Sequence, residues 1–260
     1  MNLKKILRIP KRLKDDIYIM SKIKNWDEVL SAKIKGSNIK SIKFRDGLIF
    51  QSPEEVRLEM LFHEVWVEEM YGQKGYEIKD NDTVLDIGAN IGVFSIYAAT
   101  RAKNVKVLAF EPFPENASWL KKNIELNELK NIQVFQKAVA GKSEPRVLKV
   151  EDAWVRHSLD DGNSETGLKI ECISLDEVMG TIDKCDLMKI DCEGSEYEIF
   201  YSAENTALAK IKKIVGEYHQ LDNQTKNGEA LVGFLEEKNF IITDFQDFKN
   251  GTGSFSAKAK

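Results

Sequence analysis

DNDTVLDIGANIGVFSIY, residues Asp80–Tyr97, changes character twice within a short span. Polar turn residues give way to Val84, Leu85, Asp86 and Ile87, and the run breaks at Gly88, which predicts a short buried strand ending in a glycine turn. After Ala89, Asn90, Ile91 and Gly92, the residues Val93, Phe94, Ile96, Tyr97, Ala98 and Ala99 predict the start of a compact apolar helix. The two glycines predict a backbone that a ligand can approach closely, and the N–H groups of the helix start favour electron-rich or anionic groups. A dinucleotide-binding turn carries G-x-G-x-x-G, whose second glycine makes room for pyrophosphate; here Asn90 holds that slot. The turn therefore suits a nucleotide-like ligand without a pyrophosphate.

Outward from this stretch, strands alternate with helices. Val84 to Ile87 reads as strand, Val93 to Arg101 as helix, Lys106 to Phe110 as strand, Pro114 to Asn127 as helix and Ile132 to Gln136 as strand. Leu187 to Ile190 and Lys213 to Val215 read as a fourth and fifth strand. Such alternation predicts a parallel sheet with helices on both faces. The second strand stops at Glu111 and Pro112, where a carboxylate can accept both hydroxyls of a ribose. The fourth delivers Asp191, Cys192, Glu193, Gly194, Ser195 and Glu196 at its carboxyl end, which places these carboxylates for chemistry, with Lys189, Asp191 and Glu193 starting on one side. Glu217 and His219 follow the fifth and share a face if that strand persists. By topology, the backbone around Ala138 and Val139 borders the nucleoside base.

The segments VLDIGANIGVFSIYAA, AFEPFPENASWLKKNIELN and DLMKIDCEGSEYEIF, in this order, resemble the FkbM family of S-adenosylmethionine-dependent methyltransferases, over roughly residues 76 to 220. The resemblance implies an α/β, Rossmann-like class I methyltransferase fold: a mostly parallel sheet with an antiparallel C-terminal edge hairpin, here Phe240 to Phe245 and Ser254 to Lys258 joined through Lys249 to Gly253. It implies S-adenosylmethionine as cofactor, held by Asp86, Gly88, Asn90, Gly92, Phe94, Glu111 and Pro112, with Tyr71, Ala138 and Asp191 alongside. It places the acceptor at Asp191, Glu193, Glu217 and His219, and the acceptor class it implies is a small molecule, sugar or glycan precursor methylated on a hydroxyl.

Methyl transfer from a sulfonium is an in-line displacement, and a hydroxyl becomes a better nucleophile as its proton leaves. His219, whose ordinary pKa lies closest to neutrality, is the first choice of base, Asp191 the second and His157 the third. Lys189 orients substrate or pairs with a carboxylate. The plainer alternative has Asp191 and Glu193 capping the next helix, Lys189 neutralising them and His219 packed in the core. Asp191, Glu193, Glu217 and His219 also suit Mg²⁺ or Mn²⁺, but their spacing selects no ion, and no metal site is assigned. A nicotinamide-dependent oxidoreductase would share the sheet and the ribose carboxylate; Asn90 and the terminal hairpin speak against it. A catalytically inactive binding module of the same fold would tolerate loss of Asp191 or His219.

With 260 residues, 42% of them hydrophobic, the chain can bury one large core and a small appendage. A net charge of −4 argues against a general nucleic-acid binder. The charge is uneven: Lys4, Lys5, Arg8, Lys11, Arg12, Lys14, Lys22 and Lys24 face only Asp15 and Asp16. That segment reads either as a solvated helix or as an amphipathic one whose Leu3, Ile6, Leu7, Leu13, Ile17 and Met20 lie on an anionic membrane or a nucleotide-sugar substrate, with Pro10 weighing against the membrane. No apolar run is long enough to span a bilayer and no signal-peptide pattern is present, so a cytoplasmic location is expected. Cys172, Cys185 and Cys192 lack C-x-x-C spacing and read as reduced thiols.

Residues 1–75 read as an accessory region: the basic helix, a hairpin around Asp46-Gly47 and a capping helix from Pro53 to Met70 with Val56, Met60, Leu61, Val65 and Met70 on one side. On that helix His63 and Trp66, with Tyr71 beyond it, either line a pocket or simply pack. Residues 76–260 form the cofactor-binding domain, in which Trp154 to Gly167 reads as a flexible substrate loop. The residues give no reading of oligomeric state.

Overall fold

The computed structural model describes residues 10–150, 157–159 and 167–260. Two compact units divide between Met70 and Tyr71. The second is built on a seven-stranded sheet: β1 (Thr83–Ile87), β2 (Lys106–Phe110), β3 (Ile132–Phe135), β4 (Leu187–Ile190), β5 (Lys213–His219), β6 (Phe240–Asp247) and β7 (Thr252–Ala259). The spatial order is β6-β7-β5-β4-β1-β2-β3. Strands β1 to β5 run parallel, and β7 inserts antiparallel between β5 and β6. The expected antiparallel hairpin is present, with β7 inside the sheet and β6 at its edge. The chain starts in the middle with β1, winds out to β3 and crosses back to β4 on the other side of β1. That reversal is the switch point at which open α/β sheets bind ligands, outside the carboxyl ends of the strands.

β1 and β4 are unbroken runs because both their faces are covered. Val84, Leu85, Asp86 and Ile87 are at most 1% exposed, and Leu187, Met188 and Ile190 equally so. Around them pack Phe110, Phe200, Ile214, Leu231 and Phe255, each such side chain contributing roughly 1.5–3 kcal/mol on burial. The longer helices are α1 (Val93–Arg101), α2 (Pro114–Leu126), α3 (Leu175–Gly180), α4 (Glu196–Ser202) and α5 (Gly228–Glu237). Pro114 starts α2, where its missing N–H costs nothing. Ser174 and Asn227 cap α3 and α5 by accepting the N–H of Glu177 and Ala230.

Between β3 and β4, Ala138–Ala140 pairs in parallel with Cys172–Ser174. Arg146–Val150 forms the middle of an antiparallel trio with His157–Leu159 and Leu168–Ile170. The expected substrate loop thus carries a short strand; the rest of it, with Trp154 and the side chain of His157, lies outside the described residues.

In the first unit, helices Lys11–Lys22 and Trp26–Lys35 precede the hairpin Ser41–Lys43 to Ile49–Gln51, which turns at Asp46-Gly47 as expected. The single helix expected from Pro53 to Met70 is replaced by Leu58–Phe62 running into a π-helical turn, His63–Val67. Starting five residues late shifts its phase: Val56, Leu58, Phe62, Val65 and Trp66 are buried, while Met60, Leu61 and Met70 are only half-buried. Trp66 packs on Phe44 and Phe50 at 4.6 and 5.8 Å, a core role. His63 sits beside Asp15 and Lys33, within the same unit.

Candidate active site

The turn after β1 is held from within. Gly88 and Ala89 both donate their N–H to the Phe110 carbonyl at 3.0 Å, and Asn90 donates to Glu111 Oε2 at 2.8 Å. Asn90 Oδ1 accepts the Ile91 N–H at 2.7 Å, and Gly92 donates to the Ala89 carbonyl at 2.9 Å. Every backbone N–H from Gly88 to Gly92 is therefore occupied, which corrects the expectation that these groups greet a ligand. The glycines have a different use. A Cβ at Gly88, where φ is +78°, would lie 1.8 Å from the Asp191 carbonyl oxygen, and one at Gly92 would lie 2.3 Å from Leu120 Cδ1. The missing side chain at Gly88 lets the tips of β1 and β4 meet. Gly88→Ala, strained in both conformation and contact, is expected to cost about 2–3 kcal/mol, read as a fall in Tm of roughly 5–10 °C. An unchanged melting curve would contradict this packing.

Glu111, at the tip of β2, is 5% exposed. Its Oε2 takes the Asn90 N–H and its Oε1 the Phe113 N–H at 3.0 Å, and the Asn116 side chain donates to the same carboxylate. Burial pushes this carboxyl up to about 7, against the Phe113 and Asn90 hydrogen bonds and the charge of Lys189. The acceptor capacity that remains on this buried carboxylate suits a ribose hydroxyl. Pro112 follows, half-buried. Phe94, on α1, packs edge-on against Tyr71 at 5.4 Å. Tyr71 is 5% exposed and donates its hydroxyl to Glu217 Oε1 at 3.1 Å. Ala138 is buried and donates its N–H to the Glu171 carbonyl at 3.0 Å.

Asp86 and Lys189 are register partners on β1 and β4. Asp86 is wholly buried; its Oδ2 accepts the Ser95 hydroxyl at 2.5 Å and its Oδ1 lies 3.5 Å from Lys189 Nζ. Burial raises its pKa, and Lys189 pulls it back. The Asp86 carboxylate thus supports the turn through Ser95 and Lys189 instead of facing a ligand. Lys189, also buried, donates to the Gly88 carbonyl at 2.7 Å and lies 3.8 Å from Asp191 Oδ2. Burial works against its charge, but Asp86, Asp191 and Glu217 outweigh that and raise its pKa. It is a fixed cation that ties two strand ends together.

Beyond β4 the backbone passes through Glu193 at φ +54° and Gly194 at φ +103° before α4 begins. The left-handed conformation is uncommon for a residue with a side chain, and such strain gathers at functional sites. β5 persists to His219, so Glu217 and His219 do share a face. His219 lies between two carboxylates, with Nε2 3.2 Å from Glu193 Oε2 and Nδ1 3.1 Å from Glu196 Oε1. Burial alone would lower its pKa, but Glu196, then Glu193 and Asp191, push it up to about 9. Near neutrality the ring is an imidazolium that donates from both nitrogens. As first choice of base His219 is therefore corrected: it already holds the proton it was meant to take.

Glu196 is placed at the end of the fourth strand by the sequence, which assigns it no role. The first residue of α4, it is 0% exposed, and its Oε1 accepts the Cys192 N–H at 3.0 Å as well as His219. Its Oε2 is buried without a hydrogen bond. An acid opening a helix reads as a cap, and only the return of β5 reveals its partner. Because the pKa of His219 stands above its ordinary 6.5, its stabilising charge is fully present below about pH 6.5 and lost as pH rises through about 9. The expected result is a Tm that declines over that window, and an imidazole NMR titration that moves down by more than about one unit in Glu196→Gln. An unmoved titration would break the link between the two side chains. One ligand atom each from Asp191, Glu196 and His219 lies within 4.8 Å of the others, whereas Glu217 accepts from Tyr71.

Lys189, Asp191, Glu193, Glu217 and His219 thus gather at the ends of β4 and β5, while Gly88 to Gly92 and Glu111 to Pro112 lie at the ends of β1 and β2. The model of the methyltransferase FkbM domain matches residues 86–242, a span that covers these strand ends. AmbE, the AMB antimetabolite synthetase of Pseudomonas aeruginosa, is 26% identical over 243 residues, 77% of this chain. The chain spans only 11% of that protein's length. The 31-O-demethyl-FK506 methyltransferase FkbM of Streptomyces tacrolimicus is 25% identical, with 80% of this chain and 92% of the relative covered. The hexuronic acid methyltransferase AglP of Haloferax volcanii is 24% identical, with 64% and 72% covered. A glycine turn that packs two strand ends, a buried acid on the second strand and an acidic loop after the fourth agree with that match, and the chain belongs to the FkbM family of methyltransferases.

Proposed function

We propose that this methyltransferase methylates a hydroxyl of a small molecule or sugar, with Asp191 as the base. The observation that carries the reading is the meeting of two strand tips at the switch point. Glu111 is a buried carboxylate at the tip of β2 with acceptor capacity left for a ribose hydroxyl, and Asp191 and Glu193 follow β4 with 30% and 24% of their side chains exposed. When bound, S-adenosylmethionine supplies an activated methyl on a sulfonium. The chain's own residues hold the nucleoside through Glu111, fix the turn through Asp86 and Lys189, and take the acceptor's proton at Asp191. Glu193, steadied by the His219 ring, orients the acceptor by accepting a second hydroxyl.

Oxygen as the methylated atom is supported by one relative, a 31-O-demethyl-FK506 methyltransferase; a sugar acceptor is supported by another, a hexuronic acid methyltransferase. The nicotinamide alternative is disfavoured because a pyrophosphate would need turn N–H groups that are already bonded within the chain. Incubation with methyl-labelled S-adenosylmethionine and a panel of sugars, lipids and hydroxylated metabolites, read by mass spectrometry, tests the reading. Label on an acceptor oxygen is the expected result. Transfer only to nitrogen or carbon acceptors would overturn it.

A further inference from the structure

One face of the helix Lys11–Lys22 has no use in the chemistry above. Leu13, Ile17 and Met20 are 48, 46 and 36% exposed, while Ile19, on the other side, is 1% exposed. Spacings of four and three residues place the exposed three on a single stripe. The two acids of the helix are engaged within the unit: Asp15 Oδ2 lies 3.4 Å from His63 Nε2, and Asp16 Oδ1 accepts from Lys33 at 3.2 Å. Arg12, Lys14 and Lys22, and Lys24 just beyond the helix, are exposed. Lys11 pairs with Glu68 at 2.5 Å. Between Lys4 and Lys24 eight basic residues stand against two acids in a chain whose total charge is −4.

We propose that this face docks on an anionic lipid bilayer, with Leu13, Ile17 and Met20 entering the interface and Arg12, Lys14, Lys22 and Lys24 meeting the headgroups. An apolar stripe flanked by cations, on a helix too short and too charged to cross, is the pattern of a helix lying in the membrane plane. A second copy of the chain is a poor occupant, because it would bring two strongly basic segments together. Nucleic acid gives the exposed leucine, isoleucine and methionine nothing to bury against. The inference is independent of the methyl-transfer reading.

Co-sedimentation of the full chain with vesicles of phosphatidylcholine, alone or mixed with phosphatidylglycerol, tests it. The anionic vesicles are expected to bind at least about tenfold more tightly, with the difference lost at high salt and in Ile17→Asp. Ile17 is exposed, so that variant should fold and methylate a soluble acceptor as before. Failure to bind anionic vesicles, equal binding by Ile17→Asp, or a lipid-free dimer abolished by Ile17→Asp would each overturn the proposal.

Discussion

Asp191→Asn is expected to lower kcat by about 10²- to 10⁴-fold, the usual worth of a positioned general base. The exchange keeps the shape of the side chain. The backbone N–H of Asp191 donates to the Ile87 carbonyl and is untouched. Lys189 retains Asp86 and the Gly88 carbonyl as partners, so the strand tips should stay together. Cofactor affinity should then change much less than turnover, which separates loss of a base from loss of a fold. The pH profile separates Asp191 from His219. An imidazole base would make the rate climb toward about pH 9, where the ring gives up its proton; a carboxylate base leaves the rate without that rise. A variant with normal kcat, or a wild-type rate that follows the His219 titration, would contradict the assignment, and a normal kcat in both Asp191→Asn and His219→Gln would point to a differently built site.

The second large effect belongs to Glu111. Glu111→Ala removes the acceptor proposed for the ribose hydroxyls and leaves the N–H groups of Asn90 and Phe113 and the Asn116 side chain without their partner. At roughly 1.5–3 kcal/mol for each hydrogen bond to a charged group, the dissociation constant for S-adenosylmethionine should rise by about 10²- to 10⁴-fold. The native protein offers a gentler version of the same test. Hydroxyl donors favour the ionised carboxylate, and burial has pushed that group up to about 7. Affinity should therefore be level above about pH 7 and weaken below it, by at most tenfold per pH unit. Calorimetry across that range checks the sign: affinity that improved on acidification would mean that the protonated acid is the form that binds.

The sheet was legible because its strands are buried on both faces and end at residues that cannot continue them. Thr83–Ile87 stops at Gly88 and Lys106–Phe110 at Glu111-Pro112, and both boundaries lie within a residue of expectation. β5 was read short because its apolar run ends at Val215. The strand continues through Gly216, where a Cβ would come within 2.5 Å of the Ile190 carbonyl, so the glycine marks close strand packing and no turn. The helix expected from Pro53 failed on phase, since periodicity does not reveal where a helix begins or that a π turn follows it.

In the site, residue types were legible and their states were not. The meaning of Gly88 depends on where β4 ends, about a hundred residues later in the chain. The proton on His219 depends on Glu196 and Glu193, which approach it only when β4 and β5 pair. Both are facts of tertiary structure, and Glu196 in particular looks like an ordinary helix-opening acid until its partner arrives.

Isothermal titration of the purified chain with S-adenosylmethionine and, separately, with NAD addresses the central claim most directly. Saturable heat with S-adenosylmethionine at one per chain, silence with NAD, and loss of the signal in Glu111→Ala are the expected outcome. Heat with NAD and none with S-adenosylmethionine would contradict it.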